Sequence, residues 1–412
     1  MARRFGLSWM VSTDHGGPDH SRVNAEQAYP EFLAARAAAP ELILFYGMEF
    51  DTPGADHSSL IIPRTEAERE TLFDIESRFA KREPWPADAG RDTEPFMLEA
   101  LRHMNTIGDS VAERPVVIAN HPSRSAPEIG VYGQTAPAEL RDWNDTAPRV
   151  AIGMEGAPGH QADALTRAGD LDPAGIRGIY RAAPTMGGFD QMTARLGGFW
   201  DSMLGEGRRW WVTATSDSHR HYSEGGDDFW PGEYAKTYVQ ARADAADILD
   251  GLREGRVFVT TGDLIAELDV VATGAAGEAS MGGALDVRPG ETVEITIRLR
   301  DPAAANAGGR TPQVRRVDLI VGEVTGPVAD RAADTNPTTR VERRFTSADW
   351  SVDGEILTLS HTVEIGTRSL YVRIRGTNGQ EAEPGPDPSG EDPWADLWFY
   401  GNPIFFTVVP AS

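Results

Sequence analysis

The chain has 412 residues, 40% of them hydrophobic and 25% charged, with a formal net charge of −24 and no cysteine. That balance suits a folded protein of more than one domain, and an acidic surface repels phosphate backbones, which speaks against a nucleic-acid partner. The lack of cysteine excludes disulfides, thiolate nucleophiles and zinc–cysteine sites, so any metal must be held by His, Asp and Glu.

In chain order, short apolar or aromatic runs at 7–13, 42–50, 58–63, 115–120, 150–156, 209–216 and 255–261 read as strands, with a further one at 236–241. Helical stretches lie between them at 24–38, 65–82, 94–112, 161–168, 189–205 and 243–254. The last places Ala246, Leu249 and Leu252 on one face and ends at Gly255, a fitting C-cap. Such alternation predicts a parallel α/β barrel or open sheet over residues 1–263. From residue 264 the texture changes to Val, Thr, Arg and Gly in period-two alternation, at 291–300, 314–322, 369–376 and 403–409. This predicts a separate β-sandwich of Ig-like proportions over 264–412. The acidic proline/glycine stretch 381–393 reads as a mobile loop. No apolar run has the length of a membrane helix. "MARRFGLSWM" has no signal-peptide core. The expectation is a cytoplasmic protein for the chain as it stands, and a periplasmic or secreted one if a segment precedes Met1.

Ionisable residues collect at the strand ends. "WMVSTDH" ends in Asp14 and His15, "LILFYGMEF" carries Glu49 with His57 eight residues on, and "PVVIANHPSR" carries His121. "VAIGMEG" carries Glu155 with His160 after it, and "WWVTATSDSH" ends in Asp217 and His219. In parallel α/β folds the C-terminal strand ends converge on one face, so residues some 200 apart in sequence can share a pocket. Singly, each such histidine is more often a hydrogen-bonded loop residue than a ligand. Jointly the set predicts a metal site. A carboxylate such as Glu49 in a strongly apolar strand must be paired, hydrogen-bonded or metal-bound. Asp217 and His219, two apart, would share one side of an extended segment, which suits two ligands or an ordinary Asp–His bond. Imidazoles and carboxylates together bind Zn²⁺, Mn²⁺ or Fe²⁺. No G-x-S-x-G elbow, P-loop or G-x-G-x-x-G signature is present, so metal-assisted hydrolysis without an organic cofactor is the simplest chemistry.

These residues resemble the motifs of the polymerase-and-histidinol-phosphatase (PHP) superfamily of metallohydrolases. "STDHG" is similar to its T-D-H motif, "GMEF" to G-x-E, "NHPS" to H-P and "TSDSH" to S-D-x-H. "ILDGLREGRVFVTTG" resembles the segment that closes these domains, and the trailing "WFYGNPIFF" resembles the branch of carbaryl-type carbamate hydrolases. The resemblance implies a distorted seven-stranded β/α barrel carrying two or three divalent metals. It implies that His15 and His219 ligate one ion with Asp217, that Glu49 bridges two, and that His121 belongs to the second. His57 matches the family's additional ligand. Glu155 and His160 match no motif. The family's opening H-x-H is absent ahead of Thr13, so the barrel is expected to lack its first strand. The reading favours a chain begun at an internal methionine over one that binds fewer metals or one in which His20 compensates.

Arg124, Arg220 and His160 are the candidates for touching a small, anionic substrate, and His221 for a general acid on the leaving group. Glu49 and Asp217 would serve the chemistry through the metal. Three functions fit: phosphoester hydrolysis first, carbamate or carboxylic ester hydrolysis on the same site, or a non-catalytic barrel whose sandwich binds a partner. His103 and His361 read as structural.

Overall fold

The computed structural model describes residues 1–219 and 228–409. Strands β1 (Trp9–Ser12), β2 (Ile43–Asp51), β3 (His57–Ile61), β4 (Val116–Ala119), β5 (Ala151–Ala157) and β6 (Trp211–Ala214) form a six-stranded sheet in sequence order. β1–β2, β4–β5 and β5–β6 are parallel, whereas β3 runs antiparallel to both of its neighbours. The expected seven-stranded β/α barrel, with or without its first strand, is therefore not the architecture. Only residues 52–56 join β2 to β3. A parallel return needs a crossover of roughly a dozen residues or more, so this link can only make a hairpin. The sheet is also open, because β1 and β6 do not pair with each other.

β2 is buried on both faces, with Phe45, Met48 and Phe50 fully enclosed. This is why it reads as an unbroken apolar run and not as an alternating strand. Helices expected as single long elements are shorter. The 189–205 stretch divides into Gln191–Ala194 and Phe199–Gly205, because Arg195 turns extended and Gly197 follows in left-handed backbone at φ 69°. The 94–112 helix stops at Met104, and 161–168 is a 3₁₀ turn at Gln161–Ala164.

β7 (Ala235–Val239) and β8 (Val257–Thr261) leave the first sheet. The helix Ala245–Glu254 connects them, capped by the Asp244 side chain and closed by Gly255 at φ 71°. They join a sheet with β13 (Arg316–Glu323), β14 (Arg340–Phe345), β17 (Leu370–Thr377) and β18 (Trp398–Val408) in the order β14-β13-β17-β18-β8-β7. β11 (Ala284–Val287) adds on in parallel to β18. A five-stranded antiparallel sheet takes β9 (Glu267–Gly274), β10 (Gly277–Ser280), β12 (Thr292–Arg300), β15 (Ser351–Asp353) and β16 (Ile356–Glu364). In β12 alternate residues Val293, Ile295, Ile297 and Leu299 are buried, as period-two patterning requires. One of the two sheets of this half also takes in β7 and β8, from ahead of residue 263.

Buried charge ties the halves together. The Asp201 carboxylate accepts two hydrogen bonds from Arg373, both at 2.7 Å, and one from the Tyr371 hydroxyl at 3.0 Å. Arg177, fully buried, faces Asp387, Glu391 and Asp396. Asp387 also accepts from the Thr185 hydroxyl and from the Gly187 and Gly188 amides. The 381–393 stretch, expected to be mobile, is therefore pinned by charge that its composition alone does not reveal.

Candidate metal centre

The reversed β3 places His57, its first residue, at the sheet end where β2 and β4 finish. There the Asn120 amide donates to the His57 carbonyl at 3.0 Å. At the same end His15 forms a parallel bridge with Glu49, and the Glu49 amide donates to the Asp14 carbonyl at 3.0 Å. Glu49 is almost fully buried. Its Oε1 lies 3.2 Å from His57 Nδ1 and 3.3 Å from His121 Nε2, while Oε2 lies 3.3 Å from His15 Nδ1. Asn120 Nδ2 donates to Oε1 at 3.2 Å and is held by Ser59. One carboxylate thus addresses three imidazoles with its two oxygens.

A second group forms around Asp217. Its Oδ2 lies 2.8 Å from His160 Nε2 and accepts from Arg124 at 2.9 Å, and its Oδ1 lies 3.4 Å from His219 Nδ1. His219 Nε2 is 2.7 Å from His15 Nε2, which joins the two groups. Asp217 is not extended, as the D-x-H spacing suggested, but left-handed at φ 47°, and His121 and His160 also have positive φ, at 29° and 56°. Such backbone is disfavoured for non-glycine residues and collects at functional sites.

The electrostatics point the same way. Burial pushes the Glu49 carboxyl up, but hydrogen bonding with His121 and His57 outweighs it and holds the group well below the carboxylate range. Burial and Arg124 push His121 down, yet Asp56 and Glu49 lift it to about 10. Burial likewise opposes the charged form of His160, which Asp217 and Asp228 nevertheless lift to about 9. For His15 burial wins, and its value is lowered. Carboxylates crowded around imidazoles attract a proton or a metal cation, and the two compete. Among the described residues, two buried nitrogens make no well-aligned hydrogen bond and face carboxylates instead: His15 Nδ1 lies 3.3 Å from Glu49 Oε2 and His121 Nδ1 lies 3.5 Å from Asp56 Oδ2. Groups that could hold a metal ion are therefore present: His15–Glu49–His57, Asp56–His57–His121 and His160–Asp217–His219, each with ligand atoms within 4.8 Å of one another. The donors, all imidazole and carboxylate, fit Zn²⁺, Mn²⁺ or Fe²⁺.

A cavity of about 420 Å³ runs along β1 from Leu7 to His15 and reaches Glu49, Asp217 and His219. Its other walls include Trp9, Val11, Ile61, Ile118 and Leu252. Lys236, also in the wall, is paired with Asp263 at 2.5 Å.

All six residues expected as ligands, His15, Glu49, His57, His121, Asp217 and His219, come together. Of those expected to face substrate, Arg124 and His160 pack against Asp217, and Arg220 and His221 lie outside the described residues. Glu155 is fully buried behind the site, accepting from the His121 amide at 2.5 Å and from the Thr215 hydroxyl. Asp56, Asn120 and Asp228 were not legible as site residues. The first two adjoin His57 and His121, which is a usable signal, while Asp228 has no such mark. His20 does not compensate for any ligand: its Nδ1 bonds Glu76 at 2.6 Å. His103 and His361 pair with Asp74 and Glu342 away from the site.

The Glu76 hydrogen bond, against some burial, raises His20 above its ordinary 6.5. A raised folded-state value stabilises the fold fully below pH 6.5, and that contribution is lost as pH rises through the folded value. Urea denaturation with a chelator present is expected to show His20→Ala costing more stability at pH 6 than at pH 9; an equal cost at both would contradict the assignment.

The site and fold together define a β-rich protein with a histidine–carboxylate centre at one end of a mixed sheet. No helix among the described residues is long and apolar enough to cross a membrane. No protein-family model matches the chain, and no curated protein matches it. Among solved structures, a chitin binding domain from Burkholderia pseudomallei is similar over 30% of this chain at 11% identity and a TM-score of 0.18, and the chain spans 56% of that domain's length. A likeness at that level carries no argument about fold or function.

Proposed function

We propose that this chain is a metal-dependent hydrolase, related to the PHP superfamily that its motifs resemble, and that it cleaves a phosphoester. The observation that carries this reading is Glu49, whose two oxygens face His57 and His121 on one side and His15 on the other, as a carboxylate shared by two ions would. Divalent ions held there would supply Lewis-acid charge to the attacked group and lower the pKa of a water. The residues around the centre fix its donors. Asn120 orients Glu49, Glu155 holds the His121 backbone, and Arg124 anchors one oxygen of Asp217. The cavity beside β1 would seat the substrate between walls that combine apolar and polar side chains.

Those same walls favour a second reading, an uncharged aryl ester or carbamate. Leu7, Trp9, Val11 and Leu252 suit an apolar group, and the Lys236 charge is already paired. Metal-loaded protein should be assayed in parallel on chromogenic phosphate monoesters, phosphodiesters, aryl acetates and aryl carbamates. Chelator-sensitive turnover of the phosphates supports the first reading, and of the carbon esters alone the second. No turnover of any substrate by protein with bound metal would sink both.

A further inference from the structure

We infer that His160 is itself a metal ligand and closes an ion position with Asp217 and His219, beside the one at Glu49. This rests on the metal-centre reading but assigns a residue that none of the four motifs contains. Two donors each about 2.0–2.1 Å from one ion lie roughly 2.9–3.4 Å apart along the edge of a coordination polyhedron. His160 Nε2 to Asp217 Oδ2 is 2.8 Å, and one donor atom from each of His160, Asp217 and His219 lies within 4.8 Å of the other two.

The outer contacts are those of a ligating histidine. His160 Nδ1 is bonded to Asp228 Oδ1, which fixes the ring and leaves Nε2 for the site. A carboxylate behind the far nitrogen is the usual support of a metal-bound imidazole. The other oxygen of Asp228 accepts the His219 amide at 2.7 Å, so one carboxylate positions both histidines. The backbone is shaped for this approach. A Cβ on Gly159 would lie 2.1 Å from the Asp217 Cβ and 2.4 Å from the Ser216 carbonyl oxygen, so only glycine lets the two segments meet. His160 and Asp217 both hold left-handed backbone there. The competing role is a cationic clamp on Asp217. Arg124 already supplies that cation on the same oxygen.

The test uses the full chain, stripped of metal and reloaded with Co²⁺ alone, with bound metal counted by elemental analysis and the visible Co²⁺ spectrum recorded. His160→Ala and His160→Gln are each expected to lose about one equivalent of metal per chain and to change the spectrum. Asp228→Asn should weaken the same equivalent by about 10–100-fold. His57→Ala should remove a different equivalent and leave this one. A clamp needs only a hydrogen-bonding side chain, so full metal content and an unchanged spectrum in His160→Gln would overturn the inference. Circular dichroism verifies folding, and if His160→Ala does not fold, His160→Gln decides. Wild-type protein that binds no Co²⁺ would overturn the metal-centre reading itself; wild type that binds Co²⁺ with the His160 variants binding as much would overturn only this assignment.

Discussion

Glu49→Ala is expected to strip the centre of divalent metal and to lower any hydrolytic rate by more than about 100-fold, beyond the loss typical of an outer-contact residue. The carboxylate is the element common to His15, His57 and His121, so its removal leaves three imbalanced imidazoles where there was one charge-complementary site. Glu49→Gln makes the sharper comparison. It keeps the shape and the contact with Asn120 but loses the negative charge, so it should also lose metal. His121→Ala and Asp217→Ala should each reduce metal content. Elemental analysis after chelation and reloading reads all four variants, and unchanged metal in both His121→Ala and Asp217→Ala would sink the assignment.

Arg373→Ala is expected to cost about 3–5 kcal/mol of stability, because it leaves the Asp201 carboxylate buried without its bidentate partner. Arg373 also stacks over Trp200, 4.8 Å from the ring, so truncation removes packing as well as charge. The pair links the helix Phe199–Gly205 to β17, and hence the first half of the chain to the second. Replacing both members, Asp201→Asn with Arg373→Met, should recover much of that loss, since no isolated charge remains. Denaturant unfolding of the two single variants and the double one checks this. A single-variant cost under about 1 kcal/mol would show that the charge finds another partner.

The candidate metal site was far more legible than the architecture that builds it. "STDH", "GMEF", "NHPS" and "TSDSH" each mark a place where an apolar strand stops and a polar ligand begins, and that signal survives any arrangement bringing the ends together. The barrel was not legible, because apolar periodicity reports which face of a segment is buried and not which way the strand runs. β3 reads as one more strand in an alternating series, yet its short link to β2 turns it around. This reversal, and not a parallel repeat, carries His57 to Glu49. β8 reads as the closing strand of the first unit and instead pairs with β18, whose sequence lies about 140 residues later. The 381–393 loop illustrates the same limit: its acids predict a solvated segment, while Arg177, some 200 residues away, draws them inward.

The sequence by itself determined which donor types a metal ion could find in this protein. Without cysteine, and with histidines and carboxylates placed at strand ends, the donor set was settled as imidazole and carboxylate before any fold was known. Only the tertiary structure decided which donors meet. It brought in Asp56 and Asp228, turned Arg124 and His160 toward Asp217, sent His20 to Glu76, and ran a cavity with both apolar and polar walls up to the candidate ligands. The reason is physical: the type of a side chain is a local property, whereas its partner is chosen by strand direction, loop length and the left-handed turns at His121, His160 and Asp217.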